Sequence, residues 1–274
     1  MPRLTATDGV ELFLKDWGPS GGGGRPVVLI HGWPLNADSW EHQAHHLAKA
    51  GHRVVAYDRR GFGRSEQPWS GYDYDTLADD LAAVIDGLSL QDAAIVGFSM
   101  GGGEVARYMS RHGGRGVRKA ALLGSIAPYL VQAPDNPDGA PRAMLQDMQA
   151  QIDKDRPAFL QGFFKSFYGQ GLVSGVSQGV LDWSNHNAYF ASPRATIACI
   201  DAWQEDLRPD MAAFDVPTLV IHGTADAIVP IKPTGRVAAR MIPGARLIEY
   251  EGAPHGFLAT HAERATQDLL DFLA

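Results

Sequence analysis

Short, continuously apolar and β-branched runs alternate along this chain with longer amphipathic stretches. PVVLI (26–30), HRVVAYD (52–58), DAAIVGF (92–98), VRKAALLGS (117–125) and VPTLVIHG (216–223) have the composition of strands buried on both faces. Between them, ADSWEHQAHHLAKAG (37–51, stopping at Gly51), YDTLADDLAAVIDGL (74–88) and GGGEVARYMSRHG (101–113) carry a helical period. ARLIEYEG (245–252) reads as one more strand, with helices expected near 234–241 and from about 261. This rhythm predicts βαβ units, and therefore an α/β fold with a mostly parallel central sheet and helices on both faces.

Two regions break the rhythm. ELFLKDW (11–17) alternates apolar and polar residues like an edge hairpin strand. GPSGGGG (18–24) follows it and reads as a flexible linker, because neither Gly-Lys-Ser/Thr nor a helix comes after it. Residues 127–210 lose the buried-strand signal and hold Pro, Gly and aromatic-rich helical pieces instead. The chain is thus expected to divide into a core (1–126 and 211–274) and a mostly helical insertion (127–210).

Composition narrows the class of protein. A hydrophobic content of 45% and a charged content of 20% describe an ordinary globular chain and exclude a disordered one. The net charge of −7 argues against nucleic acid or an anionic membrane surface as the partner. No 18-residue apolar segment exists to span a membrane, and the N-terminus reads as strands rather than a signal peptide. The single cysteine, Cys199, excludes an intramolecular disulfide and fits a reducing, cytoplasmic setting. A homo-oligomer is compatible with all of this.

The chain contains Gly-x-Ser-x-Gly twice, as GFSMG (97–101) and GVSQG (175–179). Only the first lies where a buried strand ends and a helix begins. A serine there sits on a sharp turn above the carboxyl ends of the strands, where open α/β sheets bind ligands. A Cβ at Gly97 or Gly101 would collide with the adjoining strand and helix. Ser177 has no strand before it and no long helix after it, so it reads as a loop or cap residue.

A serine hydroxyl needs a base, and the base an orienting acid. In this kind of sheet the order is Ser, then Asp or Glu, then His, on loops after later strands. LVIHGTADAIVP puts Asp226 just past one strand, and LIEYEGAPHGF puts His255 just past the next. His222 lies at the end of its own strand and is expected to make a structural hydrogen bond. Asp201, Asp206 and Asp215 precede the strand. The two N–H donors for an oxyanion are expected from the backbones of Met100 and Trp33, the latter in the loop HGW (31–33). Proline lacks an N–H, so its position at 34 preserves the Trp33 donor.

With these residues in place the chain resembles the α/β-hydrolases, and among them the bacterial aryl esterases and cofactor-free (non-haem) haloperoxidases or perhydrolases. The segments that carry the resemblance are HGWPLNADSW (31–40), YDRRGFGRSEQP (57–68), VGFSMGGGEVARYMSRHG (96–113), VPTLVIHGTADAIVP (216–230) and GAPHG (252–256). It implies that 127–210 forms a cap over the active site. It also implies hydrolysis of small aryl or alkyl esters through an acyl-serine, without metal or other cofactor, and in some members peroxide replaces water to form peracids. Trp33-Pro34 is similar to the perhydrolase branch; a shifted Trp33 carbonyl would accept a hydrogen bond from bound peroxide.

Several other features have a plainer reading. His42, His45 and His46 lack the H-E-x-x-H arrangement and are expected to face solvent rather than a metal. DRRGFGRS is a structural turn in which Arg59, Arg60 and Arg64 fix the loop or remain solvated. Phe159, Phe163, Phe164, Phe167 and Tyr168 form a near-helical stripe suited to the cap's own core, from which one or two residues join Trp183 in an apolar pocket. Phe98, Trp33 and Pro34 flank the catalytic loops and are further pocket candidates.

Ester hydrolysis is thus the leading expectation. A small lactam or amide would use the same machinery, as would a hydroxynitrile lyase or C–C bond hydrolase. A receptor using the pocket without turnover is the alternative from another class. Dehalogenases and epoxide hydrolases of this fold need a carboxylate where this chain has Ser99.

Overall fold

The computed structural model describes residues 2–18, 24–171 and 175–274. Most of the glycine-rich linker expected at 18–24 lies outside the described residues. Eight strands form one sheet: β1 (Arg3–Thr5), β2 (Glu11–Trp17), β3 (Pro26–Ile30), β4 (Arg53–Tyr57), β5 (Ala93–Phe98), β6 (Val117–Leu123), β7 (Thr218–Gly223) and β8 (Arg246–Tyr250). Their spatial order is β1-β2-β4-β3-β5-β6-β7-β8. β2 pairs antiparallel with β1 and β4, and every other pairing is parallel. The four-residue run Val27–Ile30, with Val54–Tyr57 of β4 and all of β5, is buried throughout, as parallel strands covered on both faces require.

ELFLKDW forms an antiparallel hairpin with β1 at one edge of the sheet, as its alternation led us to expect; β1 pairs with Glu11–Phe13, and Leu14–Trp17 pair with β4.

The helices are α1 (Glu41–Lys49), α2 (Tyr74–Gly87), α3 (Met100–Arg111), α4 (Arg142–Phe167), α5 (Gln178–Tyr189), α6 (Pro193–Ala202), α7 (Gly235–Met241), α8 (Phe257–Thr260) and α9 (Ala262–Leu273). α2 packs on α3 and α1 on α9. A 3-10 turn at Ala37–Trp40 precedes α1, where the sequence suggested one continuous helix. Helices α4 to α6 lie between β6 and β7. α4 is kinked at Asp155, which leaves helical geometry and accepts the Ala158 N–H (3.1 Å), with Pro157 just beyond. No helix among the described residues is long and apolar enough to cross a membrane.

The strand order explains where a site forms. The chain moves outward from β3 to β4, then returns past β3 to β5. That reversal opens a crevice beyond the carboxyl ends of β3 and β5, whose last residues pair as Ile30 with Gly97. The loop beginning at His31 and the turn at Ser99 therefore meet.

Candidate active site

Ser99 is held on a strained turn. Its φ of 55° and ψ of −120° lie in a region that side-chain-bearing residues rarely adopt. Two glycines let the strand and helix close around it. A Cβ on Gly97 would lie 2.3 Å from the Gly101 carbonyl oxygen, and one on Gly101 would lie 2.5 Å from the Ile30 carbonyl oxygen. The steric expectation for GFSMG therefore holds at both glycines. Ser177 instead caps α5, its Oγ accepting the Val180 N–H at 3.3 Å. The helix after it is twelve residues long, contrary to the expectation of a short one.

Ser99 Oγ lies 2.9 Å from His255 Nε2, and His255 Nδ1 lies 2.6 Å from Asp226 Oδ2. A carboxylate only accepts, so Nδ1 carries the proton and Nε2 is free to take one from the serine. The His255 ring packs between Phe98 and Phe167, with centroids 5.0 and 4.9 Å away. Asp226 is fully satisfied: its Oδ1 accepts the N–H groups of Ile228 (2.9 Å) and Val229 (2.8 Å). Burial pushes its carboxyl up, but the charge of His255 and hydrogen bonds from His222 and His255 outweigh that and hold it down at about 2.

His222 was expected to make a structural hydrogen bond, and its Nε2 does donate to the Val229 carbonyl at 2.8 Å. The same Nε2 lies 3.3 Å from Asp226 Oδ2, so two histidines address one carboxylate. The signal in the sequence is the i, i+4 spacing of His222 and Asp226 across the end of β7. Gly235 leaves room for the ring, since a Cβ there would stand 2.6 Å from His222 Nδ1.

The loop carrying Trp33 runs against the elbow. A Cβ on Gly32 would be 3.0 Å from the Ser99 Cβ. The Trp33–Pro34 peptide is cis, in a turn closed by Leu35 N–H donating to the Gly32 carbonyl at 3.0 Å. The N–H groups of Trp33 and Met100 have no acceptor among the described residues. The Trp33 indole is fixed by donation to the Thr196 carbonyl (3.0 Å) and by edge contacts with Phe163 and Trp203, each at 5.1 Å.

Behind this loop lies a buried ionic cluster. The alternative of solvated charge is excluded for Arg59 and Arg60, which are 0% and 2% exposed. Arg59 pairs with Glu104 on α3 and donates to the His31 carbonyl at 2.6 Å. Its own N–H donates to His31 Nε2 at 2.9 Å, while His31 Nδ1 donates to the Gly32 carbonyl at 2.9 Å. Burial first, and then the charge of Arg59, push the His31 imidazolium well below its ordinary range, so the ring is neutral and its tautomer fixed. Tyr57 donates to Glu104 at 2.7 Å. Glu104, Arg59 and His31 thereby tie the helix that begins at Met100 to the loop that carries Trp33. Arg60 pairs with Asp80 and Asp8 and holds the turn that follows.

Ser99 opens into a cavity of about 730 Å³ whose walls include Trp33, Leu130, Met148, Phe159, Phe163 and Trp203. A volume of that order suits a small organic ligand. Asp147, Gln151, Lys154 and Asp155 on α4 add polar groups to its lining. Of the pocket candidates, Trp33, Phe159 and Phe163 line this cavity, and Phe98, Trp183 and Pro34 do not. Phe98 packs its ring against His255 and Phe257 and lines a separate cavity of about 440 Å³. Trp183 lines that second cavity too, since α5 packs against the 3-10 turn at Ala37–Trp40. Pro34 is buried and lines neither. His45 and His46 are exposed as expected; His42 is half-buried and lines the second cavity. No group of acidic, histidine or cysteine side chains that could hold a metal occurs among the described residues.

The fold and this geometry define the class: the chain belongs to the alpha/beta hydrolase fold family, which matches residues 25–262. The chain's relatives include non-heme haloperoxidases and a bifunctional esterase/perhydrolase. A non-heme chloroperoxidase of Kitasatospora aureofaciens is 43% identical over 277 residues, covering 100% of this chain and 99% of the relative. A bifunctional esterase/perhydrolase of Acinetobacter calcoaceticus is 40% identical over 279 residues, again covering 100% and 99%. The crystal structure of bromoperoxidase from Bacillus anthracis superposes with a TM-score of 0.92 at 42% identity, covering 99% of each chain.

Proposed function

We propose that this chain hydrolyses small carboxylic esters through an acyl-serine and passes the acyl group to hydrogen peroxide as well as to water. The observation that carries the reading is the continuous chain from Ser99 Oγ through His255 to Asp226, opening on an apolar cavity. Ser99 attacks the ester carbonyl while His255 Nε2 takes its proton, and Asp226 stabilises the imidazolium. The unpaired N–H groups of Trp33 and Met100 receive the oxyanion. His255 then protonates the leaving alcohol. Water or peroxide, deprotonated by the same nitrogen, releases a carboxylic acid or a peracid. Peroxide as acceptor is favoured by the relatives, one of which is named for both activities.

The insertion at 127–210 acts as the cap, contributing the α4 residues that line the cavity. The buried, lone Cys199 fits a reducing setting such as the cytoplasm. The test is a panel of p-nitrophenyl esters run with and without peroxide, alongside labelling by a serine-directed fluorophosphonate. Expected are turnover, peracid in the peroxide arm, and labelling lost in Ser99→Ala. Failure of the wild type to label would favour a receptor. Pro34→Leu is expected to lower the ratio of perhydrolysis to hydrolysis; an unchanged ratio would remove Pro34 from the account.

A further inference from the structure

The cavity above Ser99 is walled in part by two thioethers. Met144 and Met148 stand one turn apart near the start of α4, and both line this space. Met144 is 43% exposed, whereas Met100, Met109 and Met211 are each 0% exposed. Met241, at the end of α7, is 38% exposed and lines no part of this cavity. Among the described residues, the chain thus offers accessible sulfur inside the site and a matched sulfur elsewhere.

We infer that Met144 and Met148 are oxidation sites for the enzyme's own peracid, an inference that rests on the perhydrolase reading above. The step balances without a further reactant. A sulfur lone pair attacks the terminal peroxy oxygen, the O–O bond breaks, and the peroxy proton passes to the departing carboxylate. Sulfide and peracid become sulfoxide and carboxylic acid; sulfur loses two electrons and the peracid gains them. Ester hydrolysis by water generates no oxidant. Bulk peroxide is a slower oxidant of thioethers and reaches Met241 about as readily as Met144. Only an oxidant released at Ser99 meets the cavity pair first.

The modification changes the site. A sulfoxide replaces a flexible apolar group with a polar, chiral one on an apolar wall. Turnover in peroxide therefore lowers the enzyme's affinity for apolar acyl donors as it proceeds.

The experiment is peptide mass spectrometry on enzyme incubated with a short ester and peroxide, then quenched with excess free methionine over a time course. Local release should make Met144 and Met148 gain oxygen on the order of tenfold faster than Met241. Ser99→Ala given the same ester and peroxide should lose that preference, as should Ser99→Ala given preformed peracid. Peracid formation by the wild type without faster labelling of the cavity pair overturns this inference alone. The same preference in Ser99→Ala with preformed peracid also overturns it, because local production would not be the cause. No detectable peracid overturns both this inference and the perhydrolase reading.

Discussion

Replacing Asp226 by Asn tests the hydrogen-bond logic around the acid, because the new amide has only two ways to sit. With its oxygen toward Ile228 and Val229, it keeps both backbone donors, at 2.9 and 2.8 Å in the wild type. Its NH2 then faces His255, which must surrender the Nδ1 proton and carry it on Nε2, where it can no longer accept from Ser99. With its oxygen toward His255, the working tautomer survives, but two buried backbone N–H groups face a donor. Each such group costs about 1–3 kcal/mol, so the working arrangement lies about 2–6 kcal/mol higher. At about 1.4 kcal/mol per tenfold, it is populated in roughly one molecule in thirty to one in twenty thousand. We therefore expect kcat for a p-nitrophenyl ester to fall by about 30-fold to 2 × 10⁴-fold, a span that includes the roughly 10⁴-fold loss known for a triad Asp→Asn change. KM should change little, since Asp226 does not line the cavity. The assay is single-turnover acylation followed by steady-state kinetics. A kcat within about fivefold of wild type, or a loss confined to KM, would refute the argument.

Other consequences follow from the same contacts. Glu104→Gln leaves the buried Arg59 guanidinium without its counter-charge, which costs about 3–5 kcal/mol. At roughly 2–4 °C per kcal/mol for a chain of this size, Tm should fall by about 6–20 °C, with kcat reduced because α3 and the Trp33 loop lose their tie; a shift under about 2 °C contradicts the role. The Asp226 carboxyl is held at about 2, below its ordinary 3.8, so its stabilising contribution is complete above pH 4 and is lost as pH falls toward 2. The difference in urea stability between wild type and Asp226→Asn should therefore be equal at pH 7 and pH 5 and smaller at pH 3; an increase at pH 3 would reverse the sign.

What could be read from the sequence was what sterics and chain order dictate locally. GFSMG declared itself because only glycine fits within 2.3 Å of the Gly101 carbonyl and 2.5 Å of that of Ile30. Asp226 and His255 were legible from the strands that precede them. The pocket walls were legible in part, at Trp33, Phe159 and Phe163; the rest depends on how α4 bends at Asp155 and where α5 packs, neither of which has a local signature. Phe98 precedes Ser99 in the chain, but its ring packs on His255 and lines the second cavity, because the turn at Ser99 redirects the chain after β5. Arg59 and Glu104 were invisible as a pair because 45 positions separate them. His222 stood in plain sight, but its second contact, with Asp226, depends on the turn after β7.

The central claim is that Ser99 carries the acyl group. It is tested most directly by mixing enzyme with excess p-nitrophenyl ester, quenching in acid during the burst, and mapping the modified peptide by mass spectrometry. The account predicts the mass of one acyl group on the peptide that contains Ser99, absent from Ser99→Ala together with the activity. An acyl group on Ser177 or any other residue, or full turnover by Ser99→Ala, would contradict it.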